Sequence, residues 1–274
     1  MREFLLSVMI IVAVMVLSTL VEVVVPLFAQ RPIQQGRTMA NIGLTALTLA
    51  FNGALAAGAA VIAVALSLDR PGLMERLAVP ITVQIVASIV VLDFFFGYLA
   101  HRAMHLSTAL WRVHRVHHSD PFVDVTTAYR THPIEVLWRF LFMIVPVWVL
   151  GMPAEAVLTY RLLSAINGVL EHSNIRPWGA LARFASLIWV TPNMHKVHHS
   201  DDIAETDSNY GNIFSLYDRL LRTFTPTERA FSVVYGLSDT DAVRVTSLPR
   251  LLAMPFHVDE SVIREPVAAE RSVA

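Results

Sequence analysis

An all-α integral membrane bundle is the fold class that the sequence predicts, and three observations predict it. Hydrophobic residues make up 55% of the 274-residue chain and mean hydropathy is +0.54, both above the soluble norm. Long apolar runs recur through the first 160 positions, and such runs are what a helix needs to cross a hydrocarbon core about 30 Å thick. Ten of the eleven histidines fall between His101 and His199, mostly at spacings that share one helix face.

The expected architecture has three to four spans, or three plus a re-entrant hairpin, beneath a cytoplasmic histidine-rich helical cap. Residues 4–28, with Glu22 as their only charge, form the first span; a cleaved signal peptide is the alternative, but its apolar stretch should be shorter and end in small residues. Residues 40–68 form the second, where Gly and Ala allow close packing in lipid. Residues 77–100 form the third. The segment 101–135 is basic and histidine-rich, and an apolar stretch follows at 136–160 that Gly151, Met152 and Pro153 should break. That stretch reads as a hairpin that enters the membrane and turns back, with one complete span as the alternative. Sixteen of the 21 basic residues follow position 100, and Arg31 and Arg37 lie between the first two runs. The positive-inside rule puts both regions in the cytoplasm and the N-terminus outside. Residues 258–274 read as a weakly ordered tail.

Composition also excludes chemistry. A net charge of -1 with no basic tract gives no electrostatic case for nucleic acid as a partner. No cysteine is present, which removes disulfides, thiolate metal sites, iron-sulfur clusters and cysteine nucleophiles together. Any metal site must therefore use nitrogen and oxygen.

HRAMH places His101 and His105 at i, i+4; HRVHH places His114, His117 and His118, and HKVHH places His195, His198 and His199, at i, i+3, i+4. Residues at these spacings lie on one helix face. A single histidine on a helix is ordinarily a surface or hydrogen-bonded core residue, but three clusters at ligand spacing point to metal. Eight imidazoles exceed what one ion accepts, so two metals are implied. His132 in RTHPIE and His172 in LEHSN are the candidates that complete a set of ten. Imidazole suits zinc, copper, iron or nickel, and spacing does not choose among them. Asp93, Asp120, Asp124, Glu135, Glu171, Asp201 and Asp202 are candidates for orienting imidazole N–H groups, and Asp93, inside an expected span, needs a partner there.

These boxes resemble the fatty acid hydroxylase and sterol desaturase superfamily of membrane-bound, histidine-rich di-iron oxygenases, whose pattern is HxxxH or HxxxxH, then HxxHH, then a final HxxHH. The flanking stretches DFFFGYLAHRAMH, LWRVHRVHHSD, TAYRTHPIE, LEHSN and SNYGNIFSLYDRLLRTF resemble the family's blocks across residues 90 to 225. The resemblance implies that His101, His105, His114, His117, His118, His195, His198 and His199 ligate two irons, and that His132 and His172 match further family histidines. It gives Asp93 and Asn209, the latter with Tyr210 and Gly211, supporting roles, and assigns no catalytic residue beyond the metal ligands. It divides the chain into N-terminal transmembrane helices (1–76), a catalytic domain (77–225) and a C-terminal segment (226–274). Dioxygen is the implied co-substrate and a membrane lipid, sterol-like, fatty-acyl or carotenoid in that order, the implied substrate. Hydroxylation is expected ahead of desaturation. A fused haem-binding cytochrome domain, which some members carry, has no room here, so electrons are expected from a separate donor protein. The expected location is a bacterial-type inner membrane with the metal site facing the cytoplasm; oligomeric state is not legible.

The alternative function is a histidine-rich membrane metal transporter or storage protein, which would favour polar ligands inside the spans. Metal-dependent hydrolysis is a further option, but HExxH is absent.

Overall fold

The computed structural model describes residues 2–28, 35–65, 73–176, 179–238 and 245–257. Among these residues the chain is helical, with isolated bridges in place of strands. Four helices are long and apolar enough to cross a membrane. The expected weakly ordered tail at 258–274 lies outside the described residues.

Helix α1 (Arg2–Val24) stops two residues before Pro26, because a residue preceding proline is pushed out of the helical region. Helix α2 (Gln35–Ala65) returns antiparallel to it. A Cβ at Gly53 would come within 2.9 Å of the Phe4 ring, so the far ends of the two helices touch. At the near ends, the Glu22 carboxylate accepts the N–H of Val125 and of Asn174, and Arg37 binds Asp120, Asp124 and the Phe122 carbonyl.

Helix α3 (Ile81–Leu106) starts four residues later than the apolar run at Leu77. Ala78 has a left-handed φ of 50° and Pro80 occupies the N-cap, so helix cannot propagate back through them. The same rod runs past Ala100 to Leu106 and thereby carries HRAMH on the end of a span. Its Asp93–Leu99 stretch is π-helical, a local rewinding that recurs at functional sites. Helix α4 (Thr108–His118) carries HRVHH back across the top of the bundle.

Helix α5 (Pro133–Leu150) leaves the histidine layer, since Glu135 in its first turn bonds His114. Gly151 ends it in the left-handed region at φ 61°, where glycine has no Cβ penalty, and Pro153 caps helix α6 (Ala154–His172), which ends on His172. Both ends of this hairpin thus sit at the histidine layer. At 1.5 Å per residue each arm is about 27 Å long, close to the hydrocarbon thickness. The break falls where the sequence predicts it. Helix α7 (Pro192–His198) carries the last box.

Two cores organise the packing. Leu92, Met143, Met152, Tyr160 and Ile213 join α3, α5 and α6 to the loop after the last box; Ala40, Leu44, Val116, Leu251 and Met254 join α2 and α4 to the C-terminal turn of helix. Large apolar side chains such as Leu17, Leu20, Val86 and Trp148 point outward, as lipid-facing residues do. The chain is an integral membrane protein.

Candidate metal centre

Nine of the ten clustered histidines meet in two buried groups. One contains His101, His105, His114, His118 and His198; the other contains His117, His172, His195 and His199. Within each group the ligand atoms all lie within 4.8 Å of one another. Helical geometry explains the division of each box. At 100° per residue, positions i and i+4 are 40° apart, while i+3 sits on the other flank of i. His114 and His118 therefore face one group and His117 the other, whereas in the last box His195 and His199 pair and His198 crosses over.

The outer nitrogens of these rings determine which tautomer is present. His101 Nδ1–H donates to the Tyr210 carbonyl at 2.8 Å, His198 Nδ1–H to the Ser208 carbonyl at 2.7 Å and His172 Nδ1–H to the Gly168 carbonyl at 2.6 Å. A carbonyl oxygen only accepts, so each Nδ1 carries the proton and each Nε2 is left with a bare lone pair. His114 Nδ1–H donates to Glu135 Oε2 at 2.9 Å and His105 Nδ1 faces Asp207 Oδ1 at 3.1 Å. The consequence is visible inside each group. His101 Nε2 lies 3.1 Å from His114 Nε2, and His172 Nε2 lies 3.0 Å from the Nε2 of both His117 and His195. For His101 and His114, whose Nδ1–H groups are both committed outward, the two Nε2 lone pairs face one another and repel, and a shared cation removes the repulsion. Each group is able to hold a metal ion, and outer acceptors that lock ligand tautomers are the usual company of such ions.

Burial, reinforced by neighbouring histidines, holds the pKa of His117, His118, His195 and His199 well below the ordinary value. Burial, partly opposed by the bond to the Ser208 carbonyl, brings His198 down to about 3. The rings are therefore neutral at physiological pH, which is the form that binds metal.

Ser208 and Tyr210 flank Asn209, whose φ of 54° is left-handed, a conformation asparagine tolerates better than other side-chain-bearing residues. Its amide donates to the Met194 and Thr225 carbonyls and its carbonyl accepts the Thr225 N–H. Asn209 thus touches no imidazole; it holds the turn whose adjacent carbonyls orient His101 and His198. Asp218 closes the same turn by accepting the N–H of Tyr210 and Gly211. Asp93 accepts the N–H of Ile213 and Phe214, tying the π-helical stretch to this loop instead of reaching a histidine.

His132 belongs to neither group. As the N-cap of α5, its Nδ1 accepts the Ile134 N–H at 3.2 Å, and its Nε2 lies 3.2 Å from the Leu252 carbonyl. Proline in the first turn of α5 makes the preceding residue the cap, and that use of the ring turns it toward the C-terminal segment. Of the carboxylates expected to orient imidazoles, Glu135 does so. Asp120 and Asp124 instead serve Arg37, and Asp202 caps the turn at Ile203–Thr206. Glu171 lies 3.8 Å from His195 Nε2. Asp207 beside His105 was not among the candidates, and the three backbone carbonyls, of Gly168, Ser208 and Tyr210, carry no side-chain signal at all. Arg130, fully buried, donates to Val116, Asn41, Ser119 and Val245 and so braces α4 from behind.

A cavity of about 1950 Å³ runs from His101, His117, His172 and His195 down between α1, α2, α5 and α6, past Val8, Phe140 and Met143 to Trp148. Its volume exceeds the usual few hundred to 1,000 Å³ of small-molecule sites, and its walls are mostly apolar.

An all-α membrane bundle with two polyhistidine groups able to hold metal at the mouth of a mostly apolar cavity defines a class: membrane-embedded histidine-box proteins. Residues 85–223, about half of the chain, match the family described as fatty acid hydroxylase, and the chain belongs to that family. It is 34% identical over 160 residues to an ornithine lipid hydroxylase of Rhizobium tropici (58% of this chain, 47% of the relative). It is 30% identical over 146 residues to an alkylglycerol monooxygenase of Caenorhabditis elegans (53% and 28%), and 31% identical over 159 residues to a very-long-chain aldehyde decarbonylase of Oryza sativa subsp. indica (56% and 58%). The chain spans about half or less of the length of the first two. No solved structure matches.

Proposed function

We propose that the protein is a membrane-bound di-iron oxygenase that uses dioxygen and electrons from a separate donor protein to hydroxylate, or alternatively desaturate, a C–H bond of a sterol-like or fatty-acyl lipid. The observation that carries this reading is the opening of two imidazole groups, of five and four members, onto an apolar cavity between membrane helices. The relatives named as hydroxylases and monooxygenases support it. On this reading His101, His105, His114, His118 and His198 hold one iron and His117, His172, His195 and His199 the other, within a catalytic unit at 77–225. When bound, the irons supply the dioxygen chemistry that no side chain can perform.

The chain's own residues do the rest. Tyr210, Ser208, Gly168 and Glu135 keep the Nε2 of His101, His198, His172 and His114 turned inward. Phe140, Met143 and Val157 exclude water from the approach and give an alkyl chain its contact surface. Arg37, Arg102 and Arg112 lie on the histidine side of the bundle, so the positive-inside rule supports a cytoplasmic site. The mostly apolar approach to the histidines favours a lipid chain over a migrating ion.

Iron content per chain after iron-replete expression, paired with lipid-dependent oxygen uptake and product mass, tests the proposal. Two irons with uptake supports it; metal without oxygen chemistry overturns it in favour of storage or transport.

A further inference from the structure

Arg161 on the cavity wall is not explained by the metal groups. Arg161, on α6, lines the cavity, and among the described residues its only hydrogen bond is from Nη2 to Asn52 Oδ1 on α2, at 2.9 Å. No carboxylate lies within ion-pair distance of it among those residues, in contrast to Arg139, which bonds Glu135. The Tyr129 hydroxyl, also on the cavity wall, is buried without a hydrogen-bond partner among the described residues, and Arg161 lies within electrostatic reach of it. Asn52 Nδ2 is committed to the Thr48 carbonyl, so Asn52 offers its oxygen to the arginine and nothing further.

The unused groups at this spot are the remaining guanidinium N–H groups, which only donate, and one phenolic hydroxyl, which donates or accepts. A cation among apolar membrane helices without a counter-ion is costly, and such residues mark ligand sites by default. This excess of donors calls for an occupant rich in acceptors, and guanidinium matches the two oxygens of a carboxylate or phosphate.

We propose that Arg161, with Tyr129, binds the anionic group of the lipid that the metal centre oxidises; this rests on the oxygenase reading above. Arg161 and His172 lie on the same helix, eleven residues and therefore about 16 Å apart along its axis. An extended chain advances about 1.2 Å per bond, so an acyl lipid held at Arg161 presents a carbon about a dozen bonds away to the histidines. A neutral sterol has no group for the site, which ranks acyl lipids first.

The test uses the full chain in phosphatidylcholine nanodiscs, with protein-free discs as background. Binding of labelled oleate, oleyl alcohol and phosphatidylglycerol is measured at pH 8, and metal content is read on the same samples. Oleate or phosphatidylglycerol should bind about ten- to a hundredfold more tightly than the alcohol, as for a charge-assisted hydrogen bond. The anion that is retained names the source, a free fatty acid or a phospholipid. Arg161→Gln should abolish the preference and Tyr129→Phe should reduce it several-fold, each with metal content unchanged. Equal binding of alcohol and both anions to wild type, or an undiminished preference in both variants, overturns the proposal even where metal and activity are intact. A metal-free wild type that still prefers the anion sinks the oxygenase reading and leaves this site standing.

Discussion

Glu135→Gln tests the tautomer argument at one metal group while sparing the other. Glu135 Oε2 accepts His114 Nδ1–H at 2.9 Å, and Oε1 accepts from Arg139 at 2.9 Å. Glutamine keeps the shape but is neutral, and one of its two terminal atoms becomes a donor. Bonding Arg139 through its oxygen would turn the NH₂ toward His114, which then holds its proton on Nε2, where the lone pair is needed. Loss of an outer partner of a ligating histidine costs about 10- to 100-fold in metal affinity, or about 1.4–2.7 kcal/mol. All of that loss should fall on the five-histidine group. His117, His172, His195 and His199 have no bond to Glu135, so their ion should be retained. The assay is chelator competition followed by metal counting, which should resolve one weakened and one unchanged ion per chain. Arg139 loses its ion pair in the variant, so thermal unfolding of the metal-loaded protein and an Arg139→Met control separate global destabilisation from the local effect. Two ions released together, or neither weakened, would refute the reasoning.

Other substitutions divide the histidines by role. His117→Ala and His198→Ala should each release metal and abolish activity while membrane insertion is retained, and unchanged iron in both would sink the assignment. His132→Ala removes a helix cap, so it should cost about 0.5–2 kcal/mol of stability with metal content held; loss of an ion would return His132 to the ligand set. The exposed His257 should be replaceable without effect on metal. In Gly211→Ala the new Cβ would lie 2.8 Å from the Phe214 carbonyl oxygen, an overpacking expected to cost about 1–3 kcal/mol; an unchanged melting temperature would contradict that close approach. Burial raises Asp218 to about 6 against the bonds it accepts from Thr223, Gly211 and Tyr210. A folded-state pKa above the unfolded value means that stability is full below the unfolded pKa, near 3.8, and declines as pH rises through about 6. Asp218→Asn should flatten that decline, and a parallel profile in wild type and variant would exclude Asp218 as its source.

Much of this protein was determined by the sequence itself, because the relevant signals are local. Apolar length specifies which helices cross lipid, Gly151 and Pro153 specify where the hairpin turns, and i, i+3, i+4 spacing puts three imidazoles on one face of α4. A box can be read in five letters since a single turn of helix contains it. What the spacing does not contain is the partner of each ring. His117 leaves His114 and His118 because a second helix brings His195 and His199 to its flank, and that meeting depends on the 77 residues of chain between His117 and His195. His132 and His172 look alike in sequence, yet one caps a helix and the other completes a group, a difference made by where α5 begins and α6 ends. The carbonyls of Ser208 and Tyr210 orient two ligands through backbone that every residue possesses, so only the left-handed turn at Asn209 could select them. Arg161 likewise reads as an ordinary helical arginine until folding sets it against α2 with no acidic partner among the described residues.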